Sequence, residues 1–234
     1  MKNYTSSLAF ALIALSIGIV HSCKKETPST PSTPYSGSPI AKTFTEEFKD
    51  FTTLVSKSGW STKSKTNDTL GYAFDDWGQG VFGTDKSGSA SGLIAYSSTS
   101  SKDEYAYSAP DYYWSLSSWL ITPILSVKNG DKISFYTTTT PGYYTSNRLQ
   151  VLMSPSSGSD IGDSVNAVGS FTDILLDINP TEGAGLYPTT WTKYEYTFSS
   201  LQGKTNIRIG FRHYQTNIMN PGAIGIDQFK FSVY

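Results

Sequence analysis

The segment Asn206-Ile207-Arg208-Ile209-Gly210-Phe211-Arg212-His213-Tyr214 decides the fold class of this chain. Along it, apolar side chains alternate with polar side chains or glycine, so Ile207, Ile209 and Phe211 share one face. A period of two is the pattern of a β-strand with one buried face. His213 continues the apolar face, and we therefore predict that its imidazole is buried and hydrogen-bonded.

The same alternation recurs at residues 132–137, 148–153 and 191–198, with turn-forming residues between these stretches. The pair Asn129-Gly130, which lies between apolar runs, is typical of a β-hairpin turn. Several short strands at this spacing predict an all-β fold, an antiparallel β-sandwich of the jelly-roll type. Residues 59–117 are rich in Ser, Gly, Asp and Tyr and do not resolve into regular elements by pattern.

The last strand contains a break in its alternation. Ile224 and Ile226 have even numbers, whereas Phe229 and Phe231 have odd numbers, so the apolar face changes between them. Either both faces are buried there, or a β-bulge near Asp227-Gln228 switches the facing. A bulge would turn the Asp227 carboxylate out of the regular alternation.

The composition supports a β protein and argues against nucleic-acid binding. Aromatic residues make up 14% of the chain, with 16 tyrosines, and charged residues make up only 16%. Aromatic and β-branched residues favour strands. The net charge is -1 and there is no long basic run, so nucleic acid is not expected as a partner.

The first residues have the character of an export signal. Lys2 precedes an apolar run at residues 8–20, which is too short for a typical membrane-spanning helix of about 20 residues. Cys23, the only cysteine, follows directly after Ser22, as in a bacterial lipoprotein signal. We predict that residues 1–22 are removed and that Cys23 is lipidated; an ordinary cleaved signal with an incidental cysteine is the alternative.

The next residues predict a tether and a location. Residues 23–40 are rich in Pro, Ser and Thr and cannot form a helix interior or a sheet ladder, so we expect a semi-extended spacer ahead of one domain at 41–234. Lys24-Lys25-Glu26 resembles the export signal of some Bacteroidetes lipoproteins. The expected location is the outer membrane, with the lipid anchor as membrane contact and the domain facing the cell exterior.

The strand with Phe211-Arg212-His213-Tyr214, the final segment 225–231 and Ser118–Pro123 together resemble the cleaved-adhesin or choice-of-anchor J family. The resemblance covers residues 42–234 and is strongest from Ser118 onward. It implies a secreted β-sandwich with an adhesion role and no catalytic residue. Partly on this resemblance, we interpret Phe44–Phe51, whose Phe spacing also suits a helix, as a strand that runs into a bend.

The resemblance also implies a structural calcium ion between the first and last strands. The matching residues are Glu46, Glu47 and Asp227, and Gln228 stands where many family members have a second acid. Carboxylate and carbonyl oxygens are the ligands that calcium prefers. The alternative is that these acids cap strand ends and face solvent.

Exposed aromatic rings beside carboxylates are suited to glycan binding. Asp76 and Trp77 form one such combination, and Tyr112 and Trp114 form a second. We take these four residues as candidate ligand contacts. The alternative for each cluster is packing in the core or within a loop, and Trp119, which lies in a β-run, is expected in the core.

Nothing in the sequence indicates an enzyme. Beyond residue 22 the chain has one histidine, His213, and no Gly-x-Ser-x-Gly motif. The leading hypothesis is a cell-surface lipoprotein with a non-catalytic adhesion module that binds a glycan or a host or matrix protein. The alternatives are a structural subunit of an outer-membrane surface complex and, second, a glycoside hydrolase, because acids are present but none is marked as a pair.

Overall fold

The computed structural model describes residues 37–65, 77–81, 104–108, 115–139, 146–216 and 222–234. Cys23, Asp76, Tyr112 and Trp114 lie outside these residues. The elements in chain order are β1 (Phe44–Glu46), α1 (Phe51–Lys57), β2 (Ser61–Ser64), β3 (Gly78–Val81), β4 (Glu104–Ser108), β5 (Leu116–Ile121), β6 (Leu125–Val127), β7 (Lys132–Thr139), β8 (Leu149–Ser154), β9 (Asp173–Ile178), β10 (Thr192–Thr197), β11 (Thr205–Gln215) and β12 (Ile224–Ser232).

The strands form two antiparallel sheets, which confirms the predicted β-sandwich. The first sheet has the order β10-β7-β12-β4-β3, with β1 also paired to β12. The second sheet has the order β2-β5-β11-β8-β9, with β6 also paired to β11. The chain passes repeatedly from one sheet to the other, as two-sheet sandwiches of this kind do.

The first strand lies beside the last. β1 pairs with β12 so that Phe44 faces Phe231 and Glu46 faces Phe229. The pairing of β12 with β7 shifts register between Asp227 and Lys230, and Gln228 has a φ of 50°. Of the two explanations for the break in alternation, the structure therefore supports the bulge.

The core between the sheets is rich in aromatic rings. Phe211 on β11 lies at its centre, with ring centroids 5.1 Å from Phe135 and 5.7 Å from Phe229 in edge-to-face geometry. Phe229 in turn meets Trp60 at 5.4 Å. Because Phe211 belongs to the second sheet and Phe135 and Phe229 to the first, these contacts join the two sheets directly.

A segment at residues 155–172, which we call the covering segment, packs on the outer face of the second sheet. Its Ile161 and Phe171 form a separate apolar cluster with Trp119 and Leu152. Gly210 allows this contact, because a Cβ there would lie 2.9 Å from the Trp119 ring and 3.0 Å from Phe171. The central strands β5 and β8 of the second sheet are consequently buried on both faces.

The helix α1 was not predicted. The stretch from Phe44 does begin as a strand, but a helix starts at Phe51. Its first turn is capped by Asp50, whose Oδ1 accepts the Thr53 amide at 2.9 Å. This capping arrangement is a known local start signal, and it outweighed the β-prone composition of the segment.

The Asn129-Gly130 turn exists but does not form the expected hairpin. Gly130 has a φ of 94°, as such a turn requires. However, β6 before it pairs with β11 of the second sheet, whereas β7 after it pairs with strands of the first. The turn therefore carries the chain between the sheets. Within the residues that the structure describes, no helix has the length and apolarity to cross a membrane.

Candidate functional site

One end of the space between the two sheets is polar. On the inward face of β11, the apolar core residues give way to His213 and Gln215 at the C-terminal end of the strand. Residues at the adjacent strand ends add hydroxyl and amide groups, so that a connected polar layer closes the core. We call this layer the polar end; its members are Ser108, Thr139, Asn147, His213 and Gln215, all buried.

The Asn147 side chain connects the members of the polar end. Its Nδ2 donates to the Thr139 hydroxyl at 2.6 Å and to the Ala223 carbonyl at 3.3 Å. Its Oδ1 accepts from Gln215 Nε2 at 3.0 Å and from the Gly222 amide at 3.3 Å. These bonds link residues of both sheets and satisfy polar groups that would be costly to bury alone.

The His213 imidazole has both nitrogens engaged, which confirms the predicted buried, hydrogen-bonded ring. Its Nδ1 is 3.1 Å from Ser108 Oγ, and its Nε2 is 3.2 Å from Asn147 Oδ1. Because Asn147 Oδ1 can only accept, the His213 proton belongs on Nε2. Burial lowers the pKa of His213 to about 3, so the ring is neutral at neutral pH.

Ser108, His213 and Asn147 are linked by hydrogen bonds in the way that a nucleophile, a base and an orienting group are linked in some hydrolases. Their surroundings, however, do not suit catalysis. Ser108 and His213 are both 0% exposed, so their atoms do not face a substrate. A general base works best when its pKa is near the working pH, and burial holds the pKa of His213 at about 3. We therefore interpret the three residues as a structural hydrogen-bonding group.

Trp77 is the one predicted ligand contact among the described residues, and it packs in the core. Its side chain is 2% exposed, and its indole N–H donates to the Ser118 carbonyl at 3.2 Å. An enclosed ring cannot present a face to a sugar. The alternative of core packing therefore applies to Trp77, and the structure gives no support for it as a ligand contact.

The other three candidate contacts remain predictions. Asp76 directly precedes Trp77, and Tyr112 and Trp114 lie between β4 and β5 in the chain. The structure describes none of the three.

The carboxylates predicted to bind calcium lie where β1 meets the bulge in β12. The pairing puts Glu46 opposite Phe229, two residues beyond Asp227. Glu46 Oε1 accepts the Phe48 amide at 2.9 Å. Asp227 is fully buried, and its Oδ1 accepts the Gln228 amide at 2.7 Å.

The surroundings of Glu46 oppose its ionisation. Burial raises the pKa of Glu46, and the nearby charge of Glu47 acts in the same direction. A bound cation would offset both effects. In the described ranges, no group of three Asp, Glu, His or Cys residues has the arrangement of a metal site. Calcium also takes backbone and water oxygens, whereas a structural zinc site needs several His or Cys ligands.

A second polar cluster, beneath the covering segment, was not identified from the sequence. Arg212 is 2% exposed. Its Nε donates to Ser117 Oγ and its Nη1 to Gln150 Oε1, each at 3.0 Å, and its Nη2 donates to the Val165 carbonyl. The guanidinium also lies 3.7 Å from the centroid of the Tyr214 ring.

This cluster fastens the covering segment to the second sheet. Burial lowers the pKa of Arg212 to about 10, so the side chain remains a cation at neutral pH. Arg148 beside it binds Asp177 through two hydrogen bonds, at 2.9 and 2.6 Å, and the Asp177 carboxylate raises the pKa of Arg148. The alternation in β11 placed Arg212 on the polar face, but no periodic pattern indicated that residues 155–172 would cover it.

The protein is a two-sheet antiparallel sandwich. The polar side chains of the polar end and of the Arg212 cluster help to hold its parts together. In fold it is similar to the cleaved adhesin domains of Lys-gingipain. The K1 domain, from Porphyromonas gingivalis W83, has 22% sequence identity and a TM-score of 0.53, and the match covers 83% of this chain and 99% of that one. For the K3 domain of the same organism the identity is 18%, the TM-score 0.53, and the coverage 81% and 97%.

The K2 domain of Lys-gingipain gives the same result, with 19% identity, a TM-score of 0.51, and coverage of 82% of this chain and 99% of that one. At these identities the likeness shows the fold. No family model and no curated protein matches the chain.

Proposed function

We propose that this protein is a non-catalytic binding module that recognises a glycan or an extracellular protein. The observation that carries the proposal is the fold, which it has in common with domains that are adhesins by name. The enclosure of Ser108 and His213 in the polar end supports a binding role over a hydrolytic one.

The proposal includes display at the cell surface. The apolar run at 8–20, Cys23 and the Pro-rich stretch that follows support a lipid anchor, a tether and an outer-membrane location facing the exterior. A lipid anchor of more than one acyl chain holds a protein stably at a membrane, whereas a single chain binds only marginally. Incorporation of labelled palmitate into the wild-type protein, and its loss in Cys23→Ala, tests the anchor; equal labelling of both would rule it out.

The binding role is tested with the purified protein on two arrays, one of glycans and one of matrix proteins, each run with calcium and with chelator. We expect saturable binding to a restricted set of spots. Turnover of a polysaccharide would instead establish a hydrolase. Complete absence of binding, together with co-purification in a stable outer-membrane complex, would favour the structural-subunit alternative.

A stabilising calcium ion forms a further part of the proposal. Glu46, Glu47 and Asp227 would hold it, and it would neutralise the buried Asp227 and the half-buried Glu46 and Glu47 and connect β1 to β12. With calcium at about a hundred times its Kd, the added stability is about 2.7 kcal/mol. Chelator should therefore lower the Tm by on the order of 5 °C, measured by scanning calorimetry.

Asp227→Asn provides the matched control for calcium, because it removes one charge and keeps the shape of the side chain. We expect its Tm to be the same with calcium and with chelator. A wild-type Tm that does not respond to chelator would contradict a stabilising calcium site.

A further inference from the structure

We infer that a groove between the open edges of the two sheets binds a neutral saccharide. β10 is an edge strand of the first sheet and β9 an edge strand of the second. Residues of both strands line a cavity of about 340 Å³, within the size range of small-ligand sites. The side chains that carry the inference are Asp173, Ile174, Tyr196, Ser199, Ser200 and Gln202.

One wall of the groove, residues 198–201, is held by hydrogen bonds to residues 129–131. Phe198 is 1% exposed, and its backbone bonds to Asp131 at 2.9 Å and Gly130 at 2.8 Å. The Asn129 side chain clamps Leu201, accepting from its amide at 2.8 Å and donating to its carbonyl at 3.0 Å. These contacts hold residues 198–201 in place, so a ligand would meet a preformed wall and lose less entropy on binding.

The groove contains the half-buried aromatic ring of Tyr196, which packs against the core, together with hydrogen-bonding groups. The Tyr196 ring lies edge-to-face against Phe198, with centroids 5.3 Å apart, which fixes its orientation. Ser199 and Gln202 are exposed, and within the described residues neither side chain makes a hydrogen bond. A pyranose ring has an apolar face of C–H groups and a rim of hydroxyls, and this combination of an aromatic ring with polar groups suits both.

The groove carries little charge, which favours a neutral ligand. Among the described residues that line it, Asp173 is the only charged one, and the Thr172 hydroxyl donates to its Oδ1 at 3.1 Å. A phosphate or other anion would find no cation among the lining residues that the structure describes. Ile174, which is 58% exposed, adds apolar surface that a sugar ring can cover.

Addition of a peptide strand to either edge is less suited to this geometry. The pairing of β8 with β9 shifts register between Val151 and Leu152, and a bulge of this kind bends an edge strand away from partners. On β10, Lys193 and Glu195 are exposed, and charged residues on an edge also oppose strand addition.

This inference rests on the proposed binding function and places a ligand at a particular site. The test uses affinity electrophoresis of the full chain in gels that contain soluble glucan, mannan, galactan or xylan. We expect retardation in at least one gel. Tyr196→Ala and, separately, Ile174→Arg should each weaken that binding by about tenfold or more.

Tyr234→Ala is the matched control, because Tyr234 is 67% exposed and lies outside the groove; it should bind as the wild type does. Ile174→Arg changes an exposed residue and guards against loss of folding in Tyr196→Ala. Retardation that both groove variants retain would overturn the groove and leave the binding function standing. If instead a displayed peptide library binds and Ile174→Arg blocks it, the saccharide class is wrong. Absence of any binding to the gels and to the arrays would overturn both proposals.

Discussion

Replacement of Phe211 by alanine is expected to lower the free energy of unfolding by about 3–5 kcal/mol. Phe211 is 0% exposed and meets Phe135 and Phe229 of the opposite sheet. Truncation would leave a cavity at the point where the two sheets are joined, and rings on both sides would lose their contacts. Urea denaturation followed by tryptophan fluorescence measures the change.

Two control variants show whether the lower free energy of unfolding comes from the position of Phe211 in the core. Phe211→Leu keeps much of the volume and should cost about half as much. Tyr234→Ala removes an exposed aromatic ring and should change the stability by no more than about 0.5 kcal/mol. If Phe211→Ala were as mild as Tyr234→Ala, the position of Phe211 at the centre of the core would be incorrect.

Acidification from pH 7 to pH 5 is expected to lower the free energy of unfolding by about 2 kcal/mol through His213 alone. Burial lowers the pKa of His213 to about 3, whereas in an unfolded chain the pKa is about 6.5. The folded state therefore prefers the neutral ring, and protons bind first to the unfolded chain. The contribution of His213 is fully present above pH 6.5 and is lost progressively as the pH falls toward 3.

The comparison with His213→Gln isolates this effect from other titrating groups. Glutamine can hydrogen-bond in the polar end but does not titrate, so the variant should lose about 2 kcal/mol less than the wild type between pH 7 and pH 5. Glu46, whose pKa is raised by burial, titrates in both proteins and cancels in the difference. Identical pH dependence in the two proteins would show that His213 is not held in the neutral form.

Local patterns predicted the strands whose two faces differ. At 192–197, half-buried and exposed residues alternate as predicted. The burial of His213 was predicted because it lies two residues after Phe211 and so on the same face of the strand. The break in alternation before Phe229 located the bulge. These predictions hold because a strand with one buried face repeats every two residues, whatever its partners are.

The local pattern did not predict β9, β2, β3 and β4, because their apolar residues do not alternate regularly with polar ones. β9 borders the groove and contains a register shift, so its apolar residues do not alternate regularly. β2, β3 and β4 lie in the Ser-, Gly- and Tyr-rich stretch. Their strand state comes from pairing with neighbours such as β5, and no local feature of these sequences requires it.

For the candidate sites too, the sequence predicted the residue types, whereas the structure decided which side chains are buried. The acids near β1 and β12 were recognisable by residue type, but the burial that raises the pKa of Glu46 appears only when the strands pair. Trp77 has the residue type of a sugar platform, yet its ring is enclosed against β5. Residue type indicates which chemistry is available, whereas exposure decides whether a ligand can reach it.

The sequence by itself determined that this protein is built from β-strands, that Phe211 and His213 face inward, and that the apolar face of the last strand changes near Asp227. Each of these properties follows from the spacing of neighbouring residues along one strand. Only the tertiary structure decided that the Asn129-Gly130 turn crosses between sheets, that residues 155–172 cover Arg212, and that Ile174 and Tyr196 share a groove. These features depend on contacts between residues far apart in the chain, whose free energies no local pattern records.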